Sequence, residues 1–262
     1  MDGLTAPPIS FATADQTAAL TEEPIALFLD VDGTILDLAE RPGDVVTPPG
    51  LVATLWKAER KLEGALALVS GRPIAELDRL FEPLRLRASG VHGAEMRFDP
   101  GLPATSSLGA KELPQSLWED LTRVAAAFPG ALVENKRFSF AVHYRLAPAL
   151  EPHLREAVIR LIDSSQVPVE IMDAHYALEL KSPGCDKGGA IAAFLSTPPF
   201  RGRTPVFVGD DKTDESGFAV VTARGGSAFS VGKPRPGATG TFTQPAAVRG
   251  WLADYAGREE SA

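Results

Sequence analysis

A single cysteine, Cys185, is all the thiol this chain of 262 residues holds. That excludes an internal disulfide and a cysteine-lined metal cage, and leaves Cys185 as a small neutral side chain. Basic charge is short as well: 26 Lys and Arg stand against 34 Asp and Glu, a net charge of −8. No basic stripe is present to follow a nucleic-acid backbone or an anionic membrane. No apolar run approaches membrane-spanning length, and residues 1–23 carry neither the charged start nor the compact apolar core of a secretory leader. The expectation is a cytoplasmic protein with no nucleic-acid or membrane partner. Internal repeats and low-complexity tracts are missing too. What remains is 44% hydrophobic and 23% charged, an ordinary globular composition with chain enough for one large domain or two modest ones.

The most informative stretch is Ile25-Ala26-Leu27-Phe28-Leu29-Asp30-Val31-Asp32-Gly33-Thr34. Five apolar residues in a row fit a central parallel strand covered on both faces, and its carboxyl end is where open α/β sheets place ligands. Period-two geometry sends Asp30 and Asp32 to the same side. Two such acids repel, by about 4 kcal/mol at 4 Å and an effective dielectric near 20, so the pair asks for a cation or a shared proton. Gly33 permits a sharp turn whose following N–H groups can face an anion.

Residues 1–22 read as a loosely held arm. After the Asp30 strand come a polar loop over residues 37–44 and then Leu51, Leu55, Ala58 and Leu62 at helical spacing. A second buried strand, Ala65 to Val69, ends in Ser70-Gly71-Arg72-Pro73. Pro73 suits a first helical turn, so Ser70 and the Gly71 N–H form either a simple cap or a phosphate site. A glycine-rich loop, Ser89 to Glu95, contains His92 and Gly93. The pattern then changes. Ser116 and Glu119 predict a capping box ahead of an amphipathic helix through Leu117, Leu121, Val124 and Phe128. Phe138, Phe140, Val142 and Tyr144 alternate with polar residues as a half-buried strand. Leu150, Leu154, Val158, Leu161 and Ile162 make a second amphipathic helix, and Tyr176, Leu178 and Leu180 a last alternation. This is an α+β pattern set between βα units. The expected division is a first core segment over 23–106, an inserted α+β domain over 107–182, and a second core segment over 183–262. Alternation leaves His143 and Arg145 on the strand face away from the inserted helices, with Glu179 if the strands are in register. That face is either solvated or a sugar-binding surface. His92 and His143 share no metal-ligand spacing.

The core resumes with a helix opening at Asp186-Lys187-Gly188 and a strand, Pro205 to Val208, that runs into Gly209-Asp210-Asp211-Lys212-Thr213-Asp214-Glu215. Asp30 and Asp32, Ser70, Lys187, then Asp210, Asp211 and Asp214 match in order and spacing the four motifs of the haloacid dehalogenase-like superfamily. The insertion sits where that superfamily often carries a cap. The resemblance implies a Rossmann-like parallel-sheet core with an inserted α+β cap. The chemistry agrees: Asp30, the Asp32 backbone carbonyl and Asp210 are hard oxygen ligands suited to Mg²⁺, with Asp211 and Asp214 behind them. Asp30 is placed to attack phosphorus, giving an aspartyl-phosphate. Asp32 is placed to protonate the leaving oxygen and later to activate water, and Lys187 and Ser70 to hold the phosphoryl oxygens.

Over Pro24 to Leu252 the chain resembles the trehalose-6-phosphate phosphatases. The carriers are Asp30 to Thr34, Ser70-Gly71-Arg72, Val91-His92-Gly93-Ala94-Glu95, Val133-Glu134-Asn135-Lys136, His143-Tyr144-Arg145, Lys187-Gly188 and Gly209 to Glu215. The resemblance implies a sugar-phosphate substrate held by Gly71, Arg72, His92, Gly93, Glu134, Lys136, Arg145 and Glu179. A monomer is expected. Two positions depart from the family pattern. Ser216 stands where an acid is usual, and Asp186 where asparagine is usual, adding a negative charge beside Lys187. A phosphatase for sucrose phosphate or a hexose phosphate is the alternative. A receiver-type signalling module is excluded by order, since its acid pair precedes the acceptor aspartate and its length is about half.

Overall fold

The computed structural model describes residues 24–39, 44–107, 110–174 and 176–257. The arm expected over 1–22 and residues 40–43 of the polar loop lie outside the described residues. The chain divides into two compact units, one formed by Met1–Thr105 with Asp186–Ala262, the other by Ser106–Cys185. Among the described residues no helix is long and apolar enough to cross a membrane.

The first unit is built on β1, Ile25–Leu29, whose five apolar residues are all buried. A strand with no polar position is stable only with both faces covered. It lies at the middle of the sheet, parallel to β2 (Leu66–Val69) on one side and β10 (Thr204–Gly209) on the other. The sheet order is β12 (Gly240–Phe242), β11 (Ser227–Val231), β10, β1, β2, β3 (Arg87–Gly90), β4 (Glu95–Arg97) and β5 (Thr105–Ser106). Strands β12 to β3 are parallel, and β4 returns antiparallel. Strand order reverses between β1 and β10, so the carboxyl ends of those two strands flank the switch point.

Helices α1 (Leu51–Lys61) and α7 (Pro245–Gly257) pack on each other, as do α5 (Lys187–Leu195) and α6 (Glu215–Thr222); α2 (Ile74–Leu80) follows β2. Leu51, Leu55 and Ala58 are the buried stripe of α1, the periodicity expected of it. Phe28 of β1 sits in an aromatic cluster, its ring 5.3 Å from that of Phe200 and 6.0 Å from that of Phe194.

In the second unit, β6 (Leu132–Asn135), β7 (Ser139–His143), β9 (Ala177–Lys181) and β8 (Glu170–Ala174) form an antiparallel sheet in that order. Phe140, Val142, Leu178 and Leu180 meet Leu117 and Leu121 of α3 (Gln115–Ala125) and Leu154 and Val158 of α4 (Glu151–Ser165) in one core. The opposite face carries the cross-strand row Glu134, Ala141 and Glu179. The capping box expected at Ser116 and Glu119 does not form. Pro114, extended at φ −66°, takes the cap position without a side-chain bond, and its carbonyl accepts from the Leu117 and Trp118 N–H groups. A proline's fixed φ and missing N–H suit that boundary, which leaves Ser116 inside the first turn. The strand also starts one residue late, at Ser139, because Arg137 turns the chain through φ 71°.

Emptying the Phe28 site should be costly, because its ring is fully buried and flanked by other rings. Phe28→Ala is expected to lower unfolding free energy by about 3–5 kcal/mol. Denaturant titration checks this, and an unchanged midpoint contradicts it.

Candidate active site

Asp30 follows β1 directly, its N–H donating to the Val208 carbonyl of β10 at 2.9 Å. The residue is 4% exposed and both carboxylate oxygens are engaged: Lys187 Nζ donates to Oδ1 at 2.7 Å and Thr34 Oγ1 to Oδ2 at 3.0 Å. Gly33, at φ +76°, makes the turn after the strand, and any Cβ there would run into the Asp210 carboxylate. Glycine is thus required twice over, for the left-handed backbone and for the close approach.

Lys187 is the first residue of α5. Asp186 caps that helix, accepting from the Gly189 N–H at 2.7 Å. The extra acid noted in the sequence is therefore engaged with a helix N-terminus, where a carboxylate is favourable. Ser216 accepts from the Gly188 N–H at 3.2 Å. Gly188 lies so close to the Ser216 backbone that a Cβ would not fit, so this hydroxyl joins the starts of α5 and α6. Lys187 Nζ also donates to Asp214 Oδ1 at 2.7 Å. The other Asp214 oxygen accepts from the Asp210 and Asp211 N–H groups, each at 2.9 Å. Asp211 accepts from the Thr213 N–H at 2.7 Å and its hydroxyl at 2.6 Å. These bonds fold the acidic sequence after β10 into a fixed turn rather than a solvated loop.

The electrostatics follow from one ammonium among several carboxylates. Burial opposes the Lys187 charge, but Asp214, Asp30 and Asp211 outweigh it and raise its pKa well above the usual value. Burial, with the Asp30, Asp214 and Asp211 charges, pushes Asp210 up to about 9. Asp214 is pushed up to about 8, mainly by burial and despite Lys187. Asp30 is raised, again mainly by burial, against the pull of Lys187. Asp211 goes the other way: burial would raise it, but Lys187 and the two Thr213 donors hold it below the ordinary range.

Carboxylate oxygens of Asp30, Asp210 and Asp214 all lie within 4.8 Å of one another. An all-oxygen donor set with surplus negative charge fits a hard divalent cation such as Mg²⁺. Asp30 and Asp214 each have both oxygens bonded to protein donors, so hydrogen bonding does not rank one of them above the other as a ligand.

Ser70 follows β2, 1% exposed, and its hydroxyl accepts from the Arg72 N–H at 3.1 Å. The Arg72 guanidinium, expected to contact substrate, forks onto Asp32 at 2.6 and 2.7 Å and reaches Glu76 at 3.4 Å. Asp32 and Arg72 are therefore brought together. The first N–H of α2, that of Ile74, donates to Glu95 at 2.8 Å, so a protein carboxylate occupies the start of this helix. His92 is buried at φ 52°, next to Val91 at φ 47°. Two successive non-glycine residues in the left-handed region mark a strained turn. A Cβ on Gly71 would strike the His92 ring, and one on Gly93 the Asp186 backbone, so the loops bearing Ser70, His92 and Lys187 meet in this unit.

The second unit gathers the remaining expected residues. Glu179 is 3% exposed and accepts from Ser139 Oγ at 2.7 Å and Lys136 Nζ at 3.4 Å. Glu134 pairs with His143 at 2.8 Å. Arg145 lies past the end of β7, with its guanidinium 5.5 Å from the Tyr176 ring centre. Sequence reasoning passed over Arg235, whose Nε donates to the Asp210 carbonyl at 3.0 Å. It sits in the β11–β12 connection, where no local signal points to the acid turn.

A parallel sheet with its acids at the switch point and an α+β unit inserted in the chain is the architecture of the haloacid dehalogenase-type phosphatases. The solved C-terminal domain of Candida albicans trehalose-6-phosphate phosphatase has the same fold, with a TM-score of 0.78 at 20% identity over 93% of this chain and 96% of that one. The trehalose-phosphatase family model matches residues 28–237. A probable trehalose-phosphate phosphatase of Sinorhizobium fredii is 39% identical over 233 residues, 88% of this chain and 87% of that protein. The Escherichia coli trehalose-6-phosphate phosphatase is 39% identical over 245 residues, 90% of each. This chain belongs to the trehalose-phosphatase family.

The raised carboxyls carry a pH dependence with a defined sign. In the unfolded chain aspartates ionise near pH 4, whereas without metal Asp210 keeps its proton up to about 9. Folding then takes up a proton, so metal-free stability falls as pH rises from about 5 to about 9. A divalent cation such as Mg²⁺ would have to displace that proton to bind, so the rise in Tm on adding Mg²⁺ should be larger at pH of about 8.5 than at about 6. Thermal melts at both values check this, and an equal or smaller rise at the higher pH contradicts it.

Proposed function

We propose that this protein hydrolyses trehalose 6-phosphate to trehalose and phosphate. The observation that carries this reading is the buried Asp30–Lys187–Asp214 arrangement beside Asp210, its two bonds at 2.7 Å each, in a chain of the trehalose-phosphatase family.

In this reading Asp30 attacks phosphorus in line and becomes the aspartyl-phosphate, its carboxylate pre-oriented by Lys187 and Thr34. Asp32, on the other side of Val31 and steadied by Arg72, protonates the departing sugar oxygen and then takes a proton from the attacking water. Lys187, Ser70 and the Gly71 N–H hold the phosphoryl oxygens as charge develops on them. Mg²⁺, when bound by Asp30, the Asp32 backbone carbonyl and Asp210, supplies positive charge that offsets the carboxylates and the phosphate, with Asp211 and Asp214 supporting its ligands. A phosphate site alone accepts any monoester, so the sugar must be read elsewhere. We assign that role to Glu134, Lys136, Arg145 and Glu179 of the inserted unit, with Gly71, Arg72, His92 and Gly93 completing the substrate contacts.

The direct test is phosphate release from trehalose 6-phosphate beside sucrose phosphate and hexose phosphates. Trehalose 6-phosphate is expected to have the highest kcat/KM, and preference for another sugar phosphate would overturn the substrate assignment. Asp30→Asn, an amide of the same shape, should cost at least about a thousandfold in kcat while ligand still binds. Retained turnover would move the nucleophile elsewhere. Arg145→Ala should cost about ten- to a hundredfold in kcat/KM on trehalose 6-phosphate, and far less on a small aryl phosphate. Parallel losses on the two would make the residue structural.

A further inference from the structure

We propose that His143 is a positioning residue for sugar recognition, which holds the Glu134 carboxylate in one orientation so that its second oxygen is presented to a sugar hydroxyl. The inference deepens the substrate reading above and rests on it.

The register of the sheet puts these groups on one face. Glu134 is opposite Ala141, Ala141 opposite Glu179, and His143 opposite both Leu132 and Ala177. Side chains two apart on a strand share a face, so Glu134, His143, Ser139 and Glu179 all project away from the core formed with α3 and α4. There the two glutamates are each pinned by a neighbour. Glu179 Oε1 accepts from Ser139 Oγ at 2.7 Å. Glu134 Oε2 meets His143 Nε2 at 2.8 Å. An ionised carboxylate only accepts, so the bond requires the proton on Nε2.

Glu134 and His143 side chains are 34% and 28% exposed, enough for contact with a small molecule and too exposed for the pair to be a device of core stability. The Glu134 carboxyl is held below its ordinary range, first by the His143 bond, against burial and with help from Lys136. It therefore stays an acceptor at neutral pH. Among the described residues Glu134 Oε1 has no hydrogen bond, so the imidazole fixes one oxygen and leaves the other in a set direction. A glutamate with three free torsions would otherwise have to be ordered by the sugar itself, at a cost to affinity.

The test is a double-mutant cycle on the full-length protein with trehalose 6-phosphate. His143→Phe keeps a planar ring and removes the donor, whereas His143→Gln restores an N–H at similar reach. His143→Phe is expected to raise KM about two- to tenfold, the loss of one ordinary hydrogen bond, with His143→Gln recovering most of it. In the Glu134→Gln background the same His143→Phe change should have little further effect, because the group it orients is already altered. It should still show its full effect in a Ser139→Ala background, since Ser139 serves the other glutamate. Losses that multiply with Glu134→Gln, an unchanged KM in His143→Phe, or a defect in His143→Gln as large as in His143→Phe would each overturn the proposal. Far-UV circular dichroism melts of every variant separate unfolding from lost positioning. If trehalose 6-phosphate is not turned over, the substrate reading fails, and the cycle is run on the sugar phosphate from the panel with the highest turnover. Coupling between His143 and Glu134 there supports the positioning role, and additivity overturns it. A protein that turns over no sugar phosphate overturns both.

Discussion

Four aspartates, Asp30, Asp210, Asp211 and Asp214, surround one buried ammonium, that of Lys187, and the rest of the first unit is arranged to make that imbalance tolerable. Like charges brought into a low-dielectric interior must be paired, hydrogen-bonded, protonated or neutralised by a metal. Pairing and hydrogen bonding are both in place. Lys187 bridges Asp30 and Asp214, backbone N–H groups satisfy Asp214, and Lys187 with Thr213 holds Asp211 ionised. Asp210 is left to a proton or a cation. Removing Lys187 would leave two buried carboxylates uncompensated, so this residue belongs to the fold as well as to the site.

The same constraint explains the backbone around it. Gly33 gives way to the Asp210 carboxylate and Gly209 to the Asp214 side chain, while Gly188 lets α5 and α6 start against each other. Each glycine marks a place where a Cβ would push a charged group or a helix start out of position. Asp186 and Ser216 serve the same end. One caps the helix that carries Lys187, and the other ties that helix start to the one following the acid turn.

Much of the architecture was legible because its causes are local. The unbroken apolar run Ile25 to Leu29 has a single stable setting, a central parallel strand, and that is where it lies. The alternation through Phe140 and Val142 likewise separates a core face from a polar face in the second unit. What escaped depends on partners distant in sequence or on competition between neighbouring signals. The Arg72 fork on Asp32 spans forty positions, and Glu95 reaches the start of α2 from another strand. Arg235 meets Asp210 only through the fold of the β11–β12 connection. Ser116 and Glu119 carried a valid capping pattern, but Pro114 two residues earlier starts the helix first. The Glu134–His143 pair needs the strand register, and alternation alone does not supply it.

The central claim is that Asp30 itself takes the phosphoryl group, with Asp32 needed to release it to water. The most direct measurement is mass spectrometry of peptides from Asp32→Asn protein, acid-quenched during turnover of an activated aryl phosphate whose departure needs no acid. The account predicts one phosphoryl group on the peptide containing Asp30, accumulating because the second step has lost its base. A phosphoryl group on Ser70 or another residue, or none at any quench time while aryl alcohol is released, would contradict it.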